Sequence, residues 1–530
     1  MNVTTPASAP VERRAATIAM ACLGVFVAYL PVTTVAVSLP AVQAALNAST
    51  AQLSWVQDAF VLPMAAFILT AGVFGDVHGR KKVFQAGLLF SAAGAVTALC
   101  ARSIEVVWAG QALAGVGAAA LLPTTLALIS HAVPDHRERG RFIGVWATCL
   151  MAALAVGPLI AGTVVQHFSW RWIYLPSVPV ALLAAAVAAR RLPDSRAPHG
   201  RRLDWPGQLT ATLAVTALVY GVIEGGASSF TDVKVMVALF TAAAAGGAFV
   251  LAERRSDSPM LDLSLFRSPA FTATTLVAMT SFLALIGFFF VLSLYFGMVQ
   301  RLDTMQAAWR LLTVTGASLL VGGPAGRLMH RISARVMITG GLLLVAAAQF
   351  ALTGLAADTS FGSAAWRLAL LGLGIGFVMT PMTATAVASV PHHLAGMAAA
   401  ANNAFRQVGG ALGPAVLGAL LTSRALGALP GHLTGAGVTG AAQDRVVATA
   451  QADGLGAVAG LDLGASPGRT MGALGDSFLD GMRLCLITAG SLTLLAALVA
   501  VVLLRAPRQR PTLRAAGHTT VGQARAARGA

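Results

Sequence analysis

Apolar runs of about twenty residues recur along nearly the whole of this 530-residue chain. A helix of about twenty residues is long enough to cross the hydrocarbon core of a bilayer. Only 11% of the residues are charged, whereas a soluble protein has about a quarter. Because lipid offers no hydrogen-bonding partner to exposed backbone groups, these runs are predicted to be helices. The chain is therefore predicted to be an all-α polytopic membrane protein and not a pair of soluble domains.

Fourteen transmembrane helices are predicted, six before the basic stretch 190–204, two after it, and six after residue 268. The predicted spans are 15–41, 53–75, 83–100, 106–131, 142–166, 172–189, 205–226, 235–252, 269–298, 307–329, 337–356, 364–387, 397–422 and 479–504. This 6+2+6 arrangement divides the chain into five parts. They are an N-terminal tail (1–14), a six-helix bundle (15–189), a basic loop with two inserted helices (190–268), a second bundle (269–504) and a basic tail (505–530).

One long stretch, 423–478, is rich in Gly and Ala and lies between the last two predicted spans. It is predicted to be a non-helical, mobile loop on the outer side. A lid that gates access to a ligand is an alternative for the same stretch.

The positive charge lies mainly on one side of the predicted membrane. The net charge is +16, and with the N-terminus inside, 24 of the 36 Lys and Arg residues fall in inner segments and seven in outer ones. Basic segments stay in the cytoplasm, so a multi-pass protein of the cell membrane with both termini cytoplasmic is predicted. The basic tail is predicted to contact anionic lipid of the bilayer, and no nucleic-acid partner is predicted.

An internal repeat relates the two bundles. The motif GPLIAG (Gly157–Gly162) recurs as GPAVLG (Gly413–Gly418), 256 residues later. The stretch that begins GVFGDVHGRK at Gly72 has a weaker echo in GRLMHRISAR (Gly326–Arg335), 254 residues later. Two matches at nearly the same offset indicate a duplication, which is typical of transporters with two parallel halves.

Several of these motifs carry a resemblance to a known family. GVFGDVHGRKK (Gly72–Lys82), GPLIAG followed by SWRWIYLPSVP (Ser169–Pro179), DWPG (Asp204–Gly207) and NNAFRQVGGALG (Asn402–Gly413) stand at the expected places. With them, the chain resembles the major facilitator superfamily, and within it the fourteen-helix drug:proton antiporter branch (EmrB/QacA-type). The resemblance implies the major facilitator fold and an exporter of small organic molecules of the drug or antibiotic type. It also implies protons as the coupling ion, alternating access and no cofactor, catalytic residue or metal.

The first of these motifs is predicted to form an inner gate. Its glycines allow a tight turn and close helix approach, and Asp76 is able to pair with Arg80 or accept hydrogen bonds from a neighbouring helix N-terminus. Such contacts break when two halves rock, so we interpret the cluster as a conformational latch. A plain positive-inside loop is the alternative. The gate residues are Gly72, Gly75, Asp76, Gly79, Arg80 and Lys81.

The second motif is predicted to shape the fifth helix. Pro158 removes a helix hydrogen bond, while Gly157 and Gly162 thin the helix surface so that a neighbour is able to pack closely. A packing kink is the structural interpretation, and the resemblance adds that this motif marks exporters.

Two positions depart from the family pattern. Pro31 stands where the branch usually has a membrane-embedded Asp, and Gln111 stands where a buried Arg is common. If protons drive transport, another carboxylate must carry them. Asp58 and Glu224 are the candidates because ionisable residues inside spans are costly and therefore often functional, although either is also able to lie at a wet helix end.

Other polar and aromatic side chains are predicted to line the substrate pathway. The candidates are Gln111, Asn402, Asn403, Arg406, Phe289 and Tyr295. Alternatives are contacts between helices for the two Asn residues, a bond to backbone carbonyls for Arg406, and lipid-facing positions for the aromatic rings. The alternative function is an importer or facilitator of a small metabolite. A membrane enzyme is disfavoured, because the sequence offers no clustered nucleophile and base.

Overall fold

The computed structural model describes residues 11–133, 136–192, 203–329, 331–391, 394–461 and 467–504. These residues form helices and connections, with no β-strand among them. The predicted basic tail 505–530 and most of the basic stretch 190–204 lie outside the described residues, as does most of the N-terminal tail.

Each of the fourteen predicted spans coincides with a helix. In chain order the helices are α1 (Val11–Leu46), α2 (Thr50–His78), α3 (Arg80–Leu99), α4 (Ile104–Ala132), α5 (His136–His167), α6 (Ser177–Arg191), α7 (Trp205–Ala227), α8 (Val233–Arg255), α9 (Pro269–Leu294), α10 (Thr304–Leu328), α11 (Ala334–Leu352), α12 (Phe361–Ala388), α13 (Ala395–Gly435), α14 (Ala441–Asp453) and α15 (Pro467–Leu503). The fourteenth predicted span corresponds to α15. Local signals set several starts, as at Ser49, which forms a capping box with Gln52 before α2.

The helices pack as two groups. In the first, α4 packs against α2 and α3, and α1 packs against α5. In the second, α9 packs against α13, α12 packs against α10 and α11, and α15 packs against α11 and α13. We call α1–α6 the N-half and α9–α13 with α15 the C-half. The predicted all-α architecture is confirmed.

The inserted helices α7 and α8 form a hairpin on the outside of this pair of halves. Helix α7 contacts α8, and it also contacts α2 of the N-half and α13 of the C-half. At one end, a Cβ atom at Gly226 would lie 2.1 Å from Ala419 Cβ on α13, so only glycine allows this approach. The α7 helix therefore covers the line along which α2 and α13 meet.

The membrane character of the helices is visible in their length and their surfaces. Among the described residues, 13 helices are long and apolar enough to cross a membrane. Large apolar side chains are exposed on the outward faces of α6, α8 and α15, for example Leu183, Phe240 and Leu498. Such surfaces suit contact with lipid chains, whereas a soluble protein would bury them.

The prediction of a non-helical stretch at 423–478 is wrong. Helix α13 continues to Gly435, α14 covers Ala441–Asp453, a 3-10 helix covers Leu455–Gly460, and α15 begins at Pro467. The segment packs over the α1–α2 connection, where a Cβ atom at Gly454 would lie 3.3 Å from Ser49 Cα. The Gly- and Ala-rich composition suggested a loop, but Ala is the strongest helix former and needs no lipid to form a helix.

Candidate functional site

The two halves meet along two seams that are related by the sequence repeat. In one seam, Gly162 of α5 faces α10, where a Cβ atom would lie 3.1 Å from Ala308 Cβ. In the other, Gly418 of α13 faces α2, where a Cβ atom would lie 2.7 Å from Ser54 Oγ. Gly418 is 256 residues after Gly162, and Ala308 is 254 residues after Ser54. The same contact is therefore made twice, with the roles of the two halves exchanged.

The α5–α10 seam is tight at one end of the helices and open at the other. We call the end with the α1–α2 and α9–α10 connections the closed end, because Gly162 contacts Met305 and Gly297 contacts Pro40 there. Towards the opposite end, a Cβ atom at Gly144 of α5 or at Gly322 of α10 would meet no atom within 4 Å. The helices α5 and α10 therefore diverge towards the end that carries the α2–α3 connection.

Asp58 lies within the α2–α13 seam. On α2, Ser54 donates towards the Pro414 carbonyl oxygen at 3.5 Å, and Val61 packs against Gly410 of α13. Asp58 is four residues after Ser54 and three before Val61, so it shares their helix face. Its side chain is fully buried, and neither carboxylate oxygen has a hydrogen-bonding partner among the described residues. An unpaired carboxylate that is withdrawn from water is costly in its charged form.

A hydrogen bond joins the halves near the middle of the helices. Gln407 Nε2 on α13 donates to the Tyr29 hydroxyl oxygen on α1 at 2.8 Å, and both side chains are about 1% exposed. Buried polar groups need such partners, and these two come from residues 378 apart in the sequence. Neither residue was identified from the sequence, since nothing local marks this pairing.

Replacement of Tyr29 by phenylalanine is expected to destabilise the contact between the halves. The Gln407 amide would remain buried without its partner, at a cost of about 1–3 kcal/mol. Thermal unfolding of the purified protein in detergent should show a lower midpoint for Tyr29→Phe. The matched control is Tyr220→Phe, since Tyr220 is 37% exposed on α7; equal midpoints for the two variants would contradict the expectation.

The two positions that depart from the family pattern line one cavity inside the N-half. Pro31 of α1 and Gln111 of α4 border a small space that is also lined by α2, α3 and α6. Gln111 Nε2 donates to the Val56 carbonyl oxygen at 3.3 Å. The cavity contains no Asp, Glu, Lys or Arg among its lining residues, and its polar groups are those of Thr34, Ser91, Gln111, Tyr174 and Ser177. The structure thus brings Pro31 and Gln111 together in a neutral environment.

Three predicted pathway residues lie near the start of α13. Asn402 Nδ2 donates to the Thr274 carbonyl oxygen of α9 at 3.3 Å, so it joins two helices of the C-half. Asn403 is buried, and its side-chain oxygen has no partner among the described residues. The Arg406 guanidinium lies 4.3 Å from the centre of the Phe282 ring, and its Nε also lacks a described partner. Among the described residues, Arg406 thus makes a cation–π contact with Phe282, and no hydrogen bond or ion pair to it is seen there.

The remaining candidates differ in burial. Phe289 and Tyr295 are at most 1% exposed, so the lipid-facing alternative is wrong for both. The Tyr295 hydroxyl donates to the Ala356 carbonyl oxygen at 2.6 Å, near the closed end. Glu224 is only partly buried on α7, outside the two halves. The structure does not bring Glu224 into the seam that contains Asp58.

The predicted gate residues form a compact turn. Arg80 donates from Nε and Nη2 to Asp76 Oδ1, at 3.1 and 2.9 Å. Gly79 joins α2 to α3 with a φ of 105°, which favours glycine. Lys81 Nζ donates to the Ala189 carbonyl oxygen at the end of α6, at 2.7 Å. The predicted Asp76–Arg80 pair is present, and its described partners all belong to the N-half.

The neighbouring glycines of this motif pack α2 against α4. A Cβ atom at Gly72 would lie 3.5 Å from Pro123 Cβ, and one at Gly75 would lie 3.4 Å from a Thr124 methyl carbon.

Asp76 itself stands in the last turn of α2, where the helix dipole disfavours an acid. A role in local helix stability therefore does not explain Asp76.

Replacement of Asp76 by asparagine is expected to remove most transport while leaving the amount of protein in the membrane unchanged. The amide keeps the size of the side chain but loses the charge that pairs with Arg80 and that is available to a C-half helix N-terminus when this end closes. Efflux and membrane abundance should be measured together. Near-normal efflux from Asp76→Asn would eliminate the latch.

The antiporter motif divides its contacts between both halves. A Cβ atom at Gly157 would lie 2.2 Å from Thr33 Oγ1 on α1, whereas Gly162 faces α10 of the C-half. Pro158 lies inside α5 between these two contacts. At the repeated motif, a Cβ atom at Gly413 would lie 2.7 Å from the Gly287 nitrogen of α9, which is the equivalent of the Gly157 contact.

Comparison with known proteins places these features in a family. Residues 21–414 match the model of the Major Facilitator Superfamily. The chain is 32% identical over 503 residues to the tetracenomycin C resistance and export protein of Streptomyces glaucescens, covering 94% of this chain and 93% of that protein. It is 33% identical over 411 residues to the multidrug resistance protein Stp of Mycobacterium tuberculosis, covering 78% and 76%.

Solved structures agree on the fold. A bacterial homologue of the human lysosomal transporter Spinster, in an inward-facing and occupied conformation, superposes with a TM-score of 0.64 and 15% identity, covering 94% of this chain and 98% of that one. The resemblance inferred from the sequence motifs is confirmed, and the chain belongs to the major facilitator superfamily.

Proposed function

We propose that this protein exports small organic molecules of the drug or antibiotic type across the cell membrane, by transport and not by catalysis. Relatives that match 78% and 94% of the chain are a multidrug resistance protein and an antibiotic resistance and export protein. The paired glycine seams support the proposal, because two halves that touch at one end and diverge at the other suit alternating access.

The substrate is proposed to bind first in the space that opens between the halves and to contact the cavity of the N-half. That cavity is largely apolar, and its polar groups are uncharged. Uncharged groups of this kind suit contact with part of a neutral or weakly polar molecule better than with a small ion. The hydroxyl of Tyr174 is buried in the cavity wall without a described partner, so it is available to a substrate carbonyl or hydroxyl group.

Protons are proposed to drive export through Asp58. The observation that carries this proposal is the complete burial of an unpartnered carboxyl group in the α2–α13 seam. When the closed end opens, Asp58 would be able to bind a proton from the outer side, and closure would bury it in the protonated form. Release of this proton to the cytoplasm, before the next substrate is exported, would complete the cycle and couple export to inward proton movement.

The open end is proposed to face the cytoplasm. The distribution of Lys and Arg supports a cytoplasmic position for the α2–α3 connection. The structure would then be in an inward-facing state, ready to accept substrate from the cytoplasm, with both termini on the same side.

The test is efflux of a panel of fluorescent and antibiotic compounds from cells that express the protein, with and without an uncoupler. Export of at least one compound that stops when the uncoupler is added supports the proposal. The alternative is an importer or facilitator of a small metabolite, which the neutral residues at positions 31 and 111 favour. Transport that proceeds down the substrate gradient and ignores the uncoupler would select that alternative.

A further inference from the structure

Two buried carboxyl groups meet where the inserted hairpin begins and ends. Asp204 caps α7, and its Oδ1 accepts a hydrogen bond from the Gly207 N–H at 2.9 Å. Glu253 lies in the last turn of α8, and its Oε2 accepts from the Leu261 N–H at 3.0 Å. Their exposed fractions are 9% and 4%. The second oxygen of each group, Asp204 Oδ2 and Glu253 Oε1, is buried and has no partner among the described residues.

Gly207 provides the space in which the two unpartnered oxygens approach each other. A Cβ atom at Gly207 would lie 2.7 Å from Glu253 Oε1 and 3.0 Å from Asp204 Oδ2. The two oxygens are therefore no more than 5.7 Å apart, by the sum of these distances. Any larger residue would push one carboxyl group away, so the glycine of the DWPG motif is explained by this pair.

No described cation neutralises the pair. Neither carboxyl group forms an ion pair with a described Arg, Lys or His, although the exposed Arg254 and Arg255 follow Glu253 directly. Asp262, on the connection to α9, adds a further negative charge near Glu253. Two facing carboxylates that are withdrawn from water do not both ionise without a large cost. A backbone N–H donates to one oxygen of each group, and the other oxygen of each has no described donor.

We propose that Asp204 and Glu253 form a proton-binding site, in which one proton is shared between the two carboxyl groups. The bound form is a neutral acid that donates to its carboxylate partner. Removal of the proton leaves two buried anions that repel each other across the space above Gly207.

The site lies between the two halves, so binding of a proton there affects contacts with both of them. Gln208, the next residue after Gly207, donates to the Ala66 carbonyl oxygen of α2 at 2.9 Å and also accepts from Thr70. On the other side, the Asp262 N–H donates to Met397 Sδ of α13 at 3.1 Å. The proton thus holds the ends of α7 and α8 together between α2 and α13, at the end where the halves diverge.

The experiment measures the proton directly in the full-length protein in lipid, with Asp58→Asn as the background for all variants because Asp58 is a second buried acid. Infrared difference spectroscopy during a pH titration should detect a protonated carboxyl group near neutral pH in this background. The signal should be absent from Glu253→Gln and from Asp204→Asn, and present in Asp257→Asn, which removes an exposed acid four residues after Glu253. Asparagine is itself a good N-cap, and glutamine keeps the size of Glu253, so both variants should fold.

Thermal unfolding gives an independent readout. Between the pKa of a carboxyl group in the unfolded chain, about 4, and the higher pKa of the folded site, the folded protein holds a proton that the unfolded chain has released, so the unfolding equilibrium constant should rise about tenfold per pH unit. Stability therefore falls as pH rises through this range in the Asp58→Asn background and with Asp257→Asn added, and this loss should be missing with Glu253→Gln added. The glutamine amide donates permanently to Asp204 and has no proton to lose.

Three results would overturn the proposal. The first is the lack of a protonated signal in the Asp58→Asn background, and the second is its persistence in Asp204→Asn, which would mean that Glu253 binds a proton alone. The third is an increase in thermal stability with NaCl or MgCl2 at fixed pH that choline chloride does not reproduce and that Glu253→Gln abolishes. That result would identify a metal cation in place of the proton.

Discussion

Replacement of Asp58 by asparagine is expected to abolish gradient-driven efflux and to leave substrate binding unchanged. The amide fits the same buried position on α2, so the seam against α13 keeps its shape. It has no proton to release, so opening and closing of the seam would no longer be coupled to the proton gradient. The measurement is substrate-induced proton release from reconstituted vesicles, alongside equilibrium binding of the same compound.

The matched control is Glu224→Gln, because Glu224 is a partly buried acid on α7, outside the two halves. We expect this variant to release protons at the wild-type rate. Unchanged proton release in Asp58→Asn would exclude Asp58 as the essential proton carrier. Loss of proton release in Glu224→Gln alone would instead identify the inserted hairpin as the place where the proton is carried. If the wild type moves no protons with a confirmed substrate, antiport itself is refuted.

The helices were predictable because a bilayer imposes a length and a composition on whatever crosses it. Predicted span 205–226 and observed helix Trp205–Ala227 agree almost to the residue, since Asp204 caps the start and apolar residues continue to the end. The repeat was also predictable, and the seams show its physical meaning. Gly162 and Gly418 recur because both halves need a residue without a side chain where a helix of the other half crosses.

The segment after span 397–422 shows where hydropathy fails. Helix α13 extends to Gly435, and α14 has a mixed composition with exposed polar residues such as Asp444 and Arg445. A helix that lies in water needs neither length nor an apolar run, so a search for membrane spans passes over it. Its Ala content was the available signal, because alanine favours helix wherever lipid or water surrounds it.

Pairs of polar residues could not be predicted, for a different reason. Asp58 was identified because a lone acid in an apolar run is costly and therefore conspicuous. Tyr29 and Gln407, by contrast, are ordinary residues until the fold places them 2.8 Å apart. The same holds for Asp204 and Glu253, whose separate positions indicate a helix cap and a helix end, and whose proximity depends on how α7 and α8 pack together.

Replacement of Gly162 by leucine is expected to prevent closure of the α5–α10 seam. Even a Cβ atom there would lie 2.8 Å from Met305 Cα, which is backbone and has no rotamer to move away. Overpacking of this kind costs about 1–3 kcal/mol, which is roughly a 5- to 150-fold shift of the conformational equilibrium away from the closed end. Efflux should fall strongly, because a cycle that does not reach this state does not accept new substrate.

The shift is measurable without transport. Spin labels at Thr163→Cys and Gln306→Cys, both exposed near the closed end, report the separation of α5 and α10 in a background without the four native cysteines. The distance should increase in Gly162→Leu. It should stay at the wild-type value in Gly144→Leu, which adds the same side chain to the same helix where a Cβ atom meets nothing within 4 Å. Equal distances and equal efflux in the two variants would show that close packing at Gly162 is not required. A longer distance together with lost efflux in Gly162→Leu alone would mean that this glycine contact stabilises the conformation that accepts substrate. The repeat places an equivalent glycine contact in the other seam, so the same requirement is expected there.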